Sequence, residues 1–207
     1  MNHRSLLCAS ALKLCAFSSS AVLIDFESIS DNGTTTMLSS YGISSISQVG
    51  GTLAFQAHSF AAEPNIVCPS GTTLFLPGGH WYPNTGIVTT TLTFASPITG
   101  LTFKKAADTS GTYGMAGWKA DAYSPTNALV DSEGIGFASG LDFPSPTIQS
   151  FNLAGADSIQ TVVFSTNYNW MSTSGSVLLD DFSYSFVPEP MSAGVVVAGS
   201  LLLRRRR

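Results

Sequence analysis

Carboxylates gather at two points of the chain, and the chemistry they suggest is oxygen-based metal binding. The segment VLIDFES covers residues 22–28 and VLLDDFSYS covers residues 177–185; both set acids directly beside large apolar side chains. If the two segments are strands that pair, Asp25 or Glu27 comes close to Asp180 or Asp181. Strand alternation predicts Asp25 and Glu27 on one face and Phe26 on the other. Carboxylates backed by nearby backbone carbonyls are the hard oxygen ligands that calcium takes, and an acidic body helps to hold a cation. The expectation is a structural Ca2+, because nothing around these acids suggests an activated water. The plain alternative is that Asp180 and Asp181 accept hydrogen bonds from turn backbones while Glu27 is solvated.

Aromatic residues supply a second possible site. Trp81, Tyr82, Trp118, Tyr123, Tyr168 and Trp170 lie in or beside polar, glycine-rich stretches. Sugar rings stack on flat aromatic faces, and His80-Trp81-Tyr82 and Asn167-Tyr168-Asn169-Trp170 combine such faces with directional polar groups. Trp81, Tyr82, Tyr168 and Trp170 are therefore candidate carbohydrate contacts. Trp118 and Trp170 equally fit core positions, since tryptophan is mostly buried.

Covalent catalysis finds little to work with. Nucleophilic catalysis needs a nucleophile, a base and an orienting group in contact. His58, His80 and Cys68 stand apart from any zinc spacing, and there is no Gly-x-Ser-x-Gly elbow and no phosphate-cradling glycine loop. Asp131 with Glu133, or Asp121 with Asp142, would serve a glycosidase only if they faced each other across a cleft. Solvated acids are the simpler reading, and no enzymatic activity is expected.

The two ends of the chain carry targeting information. Residues 1–21 read as a secretory signal peptide: His3 and Arg4, an apolar stretch from Ser5 to Phe17 interrupted by Lys13, then Ser19-Ser20-Ala21 with small residues at a cleavage site. Residues 187–207 read VPEPMSAGVVVAGSLLLRRRR. Pro188 and Pro190 fix an extended, accessible spacer around Glu189. Met191 to Leu203 is an uncharged run of 13 residues, shorter than the ~17–25 of a comfortable transmembrane helix. Arg204, Arg205, Arg206 and Arg207 stay cytoplasmic.

That order of triplet, apolar run and arginine cluster resembles the PEP-CTERM sorting signal of exported bacterial proteins. The resemblance implies processing near Pro188-Glu189-Pro190 by an exosortase-type membrane enzyme, transient inner-membrane anchoring through a short hydrophobic helix, and a final place on the cell surface or in an exopolysaccharide matrix.

Without both ends, three lysines (Lys104, Lys105, Lys119) face twelve acids between Asp25 and Asp181, so the body is near −9 rather than the −4 of the whole chain. Nucleic acid is excluded as a partner, because phosphate binding needs clustered cations. Cys68 is alone once Cys8 and Cys15 are removed, so no intrachain disulfide is expected.

Residues 22–186 read as one domain made of sheet. Thr, Ser, Val, Ile and Phe dominate, and short alternating runs recur between Gly, Pro, Asn and Ser breaks. The expected strands are Val22 to Phe26, Thr52 to Ala57, Ile87 to Phe94, Ile98 to Phe103, Gly117 to Tyr123, Ala128 to Asp131, Thr147 to Leu153, Ile159 to Ser165 and Ser176 to Phe186. Ser96-Pro97 is expected to break the chain, with loops at Gln48 to Gly51 and Pro77 to Gly86. The pattern predicts an all-β, antiparallel β-sandwich of jelly-roll type. The early Phe-Glu and late Asp-Asp-aromatic segments resemble those that flank a structural calcium in carbohydrate-binding jelly rolls. TLTFASPITGLTF (91–103) and WKADAYSPTNALV (118–130) resemble paired strands of the sandwich domain that recurs in PEP-CTERM proteins. Three functions follow: an exported, non-enzymatic surface or matrix protein; a calcium-stabilised carbohydrate-binding module; and a secreted hydrolase.

Overall fold

Threonine- and valine-rich segments that alternate in polarity become long strands, and glycine, proline and asparagine punctuate them. The computed structural model describes residues 21–29, 38–51, 56–78, 86–109, 116–142, 145–168 and 177–188. The chain divides into two compact units, Ser20–Val187 and Met1–Ser19 with Pro188–Arg207. In the second unit only Pro188 is described, so residues 1–20 of the expected signal peptide, the apolar helix and the arginine cluster lie outside the described residues, while Ala21, the last residue of that expected peptide, opens the first strand.

Eleven strands are described: β1 (Ala21–Ile24), β2 (Ile43–Val49), β3 (Gln56–Ser59), β4 (Ile66–Val67), β5 (Thr73–Leu76), β6 (Gly86–Lys105), β7 (Ala107–Asp108), β8 (Gly117–Tyr123), β9 (Leu129–Ile135), β10 (Gln149–Tyr168) and β11 (Leu179–Phe186). One 3-10 turn, Leu38–Tyr41, is the only helical element among the described residues. Nine strands join in the order β3-β5-β11-β6-β10-β8-β9, with β1 added on β11 and β2 on β6; β4 and β7 form a separate pair. Every strand pair is antiparallel.

The sheet folds over on itself through β6 and β10, each of 20 residues. The first half of β6 pairs with β2 and with residues 161–168 of β10, while its second half pairs with β11 and with residues 149–154. Between the halves the register shifts twice, around Ile159. The two layers bury their inner faces against each other, as a sandwich must. Phe164 from one layer meets Phe75, Phe103 and Phe182 from the other at ring-centroid distances of 6.3, 5.6 and 5.7 Å. The core of Ile24, Phe26, Leu92, Phe94, Leu101, Trp118, Val162 and their neighbours is closed to solvent.

Several expectations are met closely. β8 runs over Gly117–Tyr123, and within β6 the residues Val88, Thr90, Leu92 and Phe94 are buried while their alternates are not. Others are corrected. Ser96-Pro97 does not end a strand; it marks the bend where β6 passes between layers, and the Pro97 carbonyl accepts a bond from Val187 N at 2.8 Å. The expected strands Thr147 to Leu153 and Ile159 to Ser165 are one bent strand. Gln48 and Val49, expected in a loop, belong to β2. β1 stops at Ile24 because Phe26 takes a left-handed backbone (φ 58°), so simple alternation through Glu27 fails. No helix among the described residues is long and apolar enough to cross a membrane.

Candidate functional site

The first and last strands do pair: β1 runs antiparallel to β11 with Ala21 opposite Ser185 and Ile24 opposite Phe182. This brings the two acidic segments to one edge of the sandwich. A local irregularity then gathers their side chains. Asp180 lies opposite Lys104 and Ser183 opposite Thr102, so two residues of β11 face one of β6. This is a β-bulge, and Asp181 within it has φ 51°. In a regular strand Asp180 and Asp181 would point to opposite faces; a bulge re-aims one of them. Both carboxylates consequently meet Ser70, whose Oγ lies 3.0 Å from Asp180 Oδ2 and 2.8 Å from Asp181 Oδ1. One hydroxyl carries one proton, so it satisfies the two only by sharing.

The remaining contacts define the charge balance. Ser70 N donates to Asp180 Oδ2 at 3.0 Å. Lys104 Nζ pairs with Asp181 Oδ2 at 2.8 Å. Asp180 is fully buried, and its Oδ1 has no hydrogen-bond partner. Burial pushes its carboxyl up to about 6, against the bonds from Asp181 N and Ser70 that favour the charged form. Glu27 reaches the same turn: its Oε1 accepts from Thr72 N at 2.6 Å and Thr73 N at 2.5 Å. It packs so close to Gly71 (φ 48°) that a Cβ there would stand 2.1 Å from Glu27 Cδ. Asp25 Oδ1 accepts from Glu27 N at 3.3 Å. Cys68 stands beside this cluster, and burial first, then the charges of Asp180 and Glu27, push its thiol up to about 11.

Asp180 and Asp181 thus share one serine, while Glu27 braces the adjoining turn. The donor atoms are oxygens, and one is buried without a partner, which fits a hard cation in chemistry. No group of three or more His, Cys, Asp or Glu side chains among the described residues is gathered as a metal-holding set. Backbone carbonyls would have to complete a coordination shell.

The aromatic candidates lie elsewhere. Trp81, Tyr82 and Trp170 are outside the described residues, but Gly78, Gly86 and Tyr168 beside them in sequence are not. Gly86 pairs with Tyr168 across β6 and β10, and Tyr168 Oη donates to Gly78 O at 3.1 Å. Gly78, Gly86 and Tyr168, which border the segments 79–85 and 169–176, therefore lie close together. Tyr168 itself is a correction: it is buried against Val88 and Ala116 and offers no open face for stacking. Trp118 is fully buried in the core, the second of its two expected roles.

The acids proposed as catalytic pairs have other partners. Asp121 takes Lys119 at one oxygen and Ser132 Oγ, at 2.6 Å, at the other. Asp131 accepts from Ala154 N at 2.9 Å. Asp142 forms a buried ion pair with Lys105. Sequence reasoning missed that pair; Lys105 continuing the buried series Leu101, Phe103 was the available signal.

No protein-family model and no curated protein matches the sequence. Solved structures do resemble the fold. The K2 cleaved adhesin domain of Lys-gingipain superposes with a TM-score of 0.51 at 11% identity, covering 81% of this chain and all (100%) of that domain. The K1 cleaved adhesin domain of the same protein, from Porphyromonas gingivalis W83, gives 0.46 at 11% identity over 82% of this chain and 100% of the other. A CBM32 module from a family 31 glycoside hydrolase of Clostridium perfringens gives 0.34 at 10% identity over 55% of this chain and 75% of the other. At such identities the first of these likenesses shows the architecture, an antiparallel β-sandwich.

Proposed function

We propose that this chain is an exported, non-enzymatic protein of the cell surface or extracellular matrix, whose sandwich associates with exopolysaccharide and whose tail is a sorting signal. The observation that carries the reading is where the last strand stops. β11 ends at Phe186, the last backbone bond of the body runs from Val187 N to Pro97 O, and Pro188 is exposed immediately after it. Pro188, the first residue of the Pro-Glu-Pro triplet, comes just after the last strand of the body, where an exosortase-type enzyme would act. The likeness to an adhesin domain supports a binding role in the same direction.

The test is the intact mass of the protein recovered from its host, by cell fraction, with and without residues 188–207. Loss of the residues beyond the triplet from the mature protein, and mislocalisation of the deletion variant, are the expected results. A mature protein that keeps Met191 to Arg207, or a deletion that changes neither processing nor location, refutes the reading.

A second reading, a calcium-stabilised carbohydrate-binding module, is favoured by the orphaned Oδ1 of Asp180 and by the closeness of Gly78, Gly86 and Tyr168, which border the aromatic segments. Asp180, Asp181 and Glu27, with Asp25 behind them, would hold the ion, which would neutralise the bulge and fix the 68–73 turn. Trp81 and Trp170 would supply the stacking faces. Calcium should raise the melting temperature of the full chain, and Asp180→Asn should abolish that rise. Trp81→Ala and Trp170→Ala should each lose retention on insoluble polysaccharide; unchanged retention removes them from any platform.

A further inference from the structure

We propose that Lys105 and Asp142 condense into an intramolecular amide that cross-links β6 to the segment after β9. Lys105 follows Leu101 and Phe103 on the inward face of β6, where alternation calls for an apolar residue. Its side chain is 1% exposed and that of Asp142 is 2% exposed, and the two are in direct contact. Asp142 Oδ2 has no aligned hydrogen bond, so its contact with the Lys105 amine is an ion-pair contact without hydrogen-bond geometry. Lys105 Nζ also donates to Gln149 Oε1 at 3.4 Å. The Trp118 indole faces the Asp142 carboxyl, without an aligned partner of its own.

Two opposite charges in such a place carry a desolvation penalty that their attraction offsets only with good geometry. Burial also pushes the Asp142 carboxyl up, against the pull of Lys105, which works toward its protonated form. The step then balances without any co-reactant. One proton passes from the Nζ ammonium to Oδ2. The Nζ lone pair attacks Cγ, and the bond from Cγ to the protonated oxygen breaks. That hydroxyl leaves with a second Nζ proton as water, and a secondary amide remains. The Trp118 Nε1–H, buried without a hydrogen-bond partner and acting to hold the nearby Asp142 carboxyl down, would donate to the oxyanion that develops there, as preorganised donors do in a dry site. Afterwards the amide N–H has Gln149 Oε1 and the amide carbonyl has Trp118 Nε1–H. The two buried charges have become a neutral group with both its polar atoms served.

The test uses the full chain, denatured and digested with trypsin, which cuts after an unmodified lysine. The expected result is a branched peptide joining Lys105 to Asp142, lighter by one water than the sum of its two arms, with no cleavage after Lys105. In Lys105→Arg, which keeps the positive charge but cannot form this amide, the branched peptide is lost and the water is regained. Cleavage after Lys105 in the wild-type protein, with both arms at their full mass, overturns the proposal. So does a missing water confined to the Asp142 arm, which would be a cyclic imide. The wild-type digest decides the matter even if the arginine variant fails to fold.

Discussion

Lys104 and Lys105 are neighbours in sequence and opposites in surroundings. Lys104 is 43% exposed and meets Asp181 at the edge of the sandwich; Lys105 is 1% exposed and meets Asp142 inside it. Lys104→Ala should therefore cost under about 1 kcal/mol, the value of a screened surface pair. Lys105→Ala leaves a buried carboxylate without its counter-charge and should cost at least about 3–5 kcal/mol. Replacing both partners, Lys105→Met with Asp142→Leu, removes the buried carboxylate and should recover that part of the loss, but not what the amide cross-link contributes. Urea denaturation of the four proteins separates these outcomes.

Glu27 is exposed by area yet holds two backbone amides, so its role is structural. Glu27→Ala should destabilise the domain by about 2 kcal/mol, since bonds to a charged acceptor are worth more than neutral ones. The local sign is sharper. The amides of Thr72 and Thr73 should exchange with deuterium at least about tenfold faster than in the wild type, with β8 amides little changed.

Gly71 is tied to the same carboxylate. Gly71→Ala meets Glu27 at 2.1 Å and strains a left-handed backbone (φ 48°). The cost should be about 2–3 kcal/mol. In a Glu27→Ala background the steric part disappears and only the backbone part remains, so the two substitutions together should cost less than the sum of each alone. Additive losses would show that Gly71 and Glu27 do not interact.

Cys68 gives a pH-dependent readout. Its thiol is raised from 9.0 to about 11 by burial and by the carboxylates nearby. Between those values the folded thiol stays protonated while an unfolded one ionises, so folding stability linked to Cys68 is fully present below pH 9 and falls as pH rises to 11. At pH 8 the thiolate fraction is about a hundredfold below that of a free cysteine. Alkylation by iodoacetamide should be slower by a similar factor in the native protein and normal in urea.

The fold class and the pairing of the chain ends were legible because they rest on side-chain alternation and on two matched acidic segments. Gly117 to Tyr123 and the inward face of Ile87 to Phe94 follow directly from period-two patterning. The bend at Ser96-Pro97 was not legible as a continuation, because a proline that removes one ladder bond looks the same whether a strand stops or turns a corner. The convergence of Asp180 and Asp181 on Ser70 depends on a bulge whose left-handed residue is an aspartate rather than a glycine, so no turn signal announced it. Tyr168 looked like a surface aromatic because its neighbours are polar. Its ring is buried because β10 continues to that residue, a matter of strand length that local composition does not specify.

The pairing of β1 with β11 has a mechanical consequence. Ala21 lies opposite Ser185, so the chain enters and leaves this ladder at the same end. Tension applied through the two termini would pull the hydrogen bonds apart one after another, as a zipper opens, instead of loading all of them in shear. The edge that carries the acidic cluster is therefore where a tethered copy of this protein yields first under force.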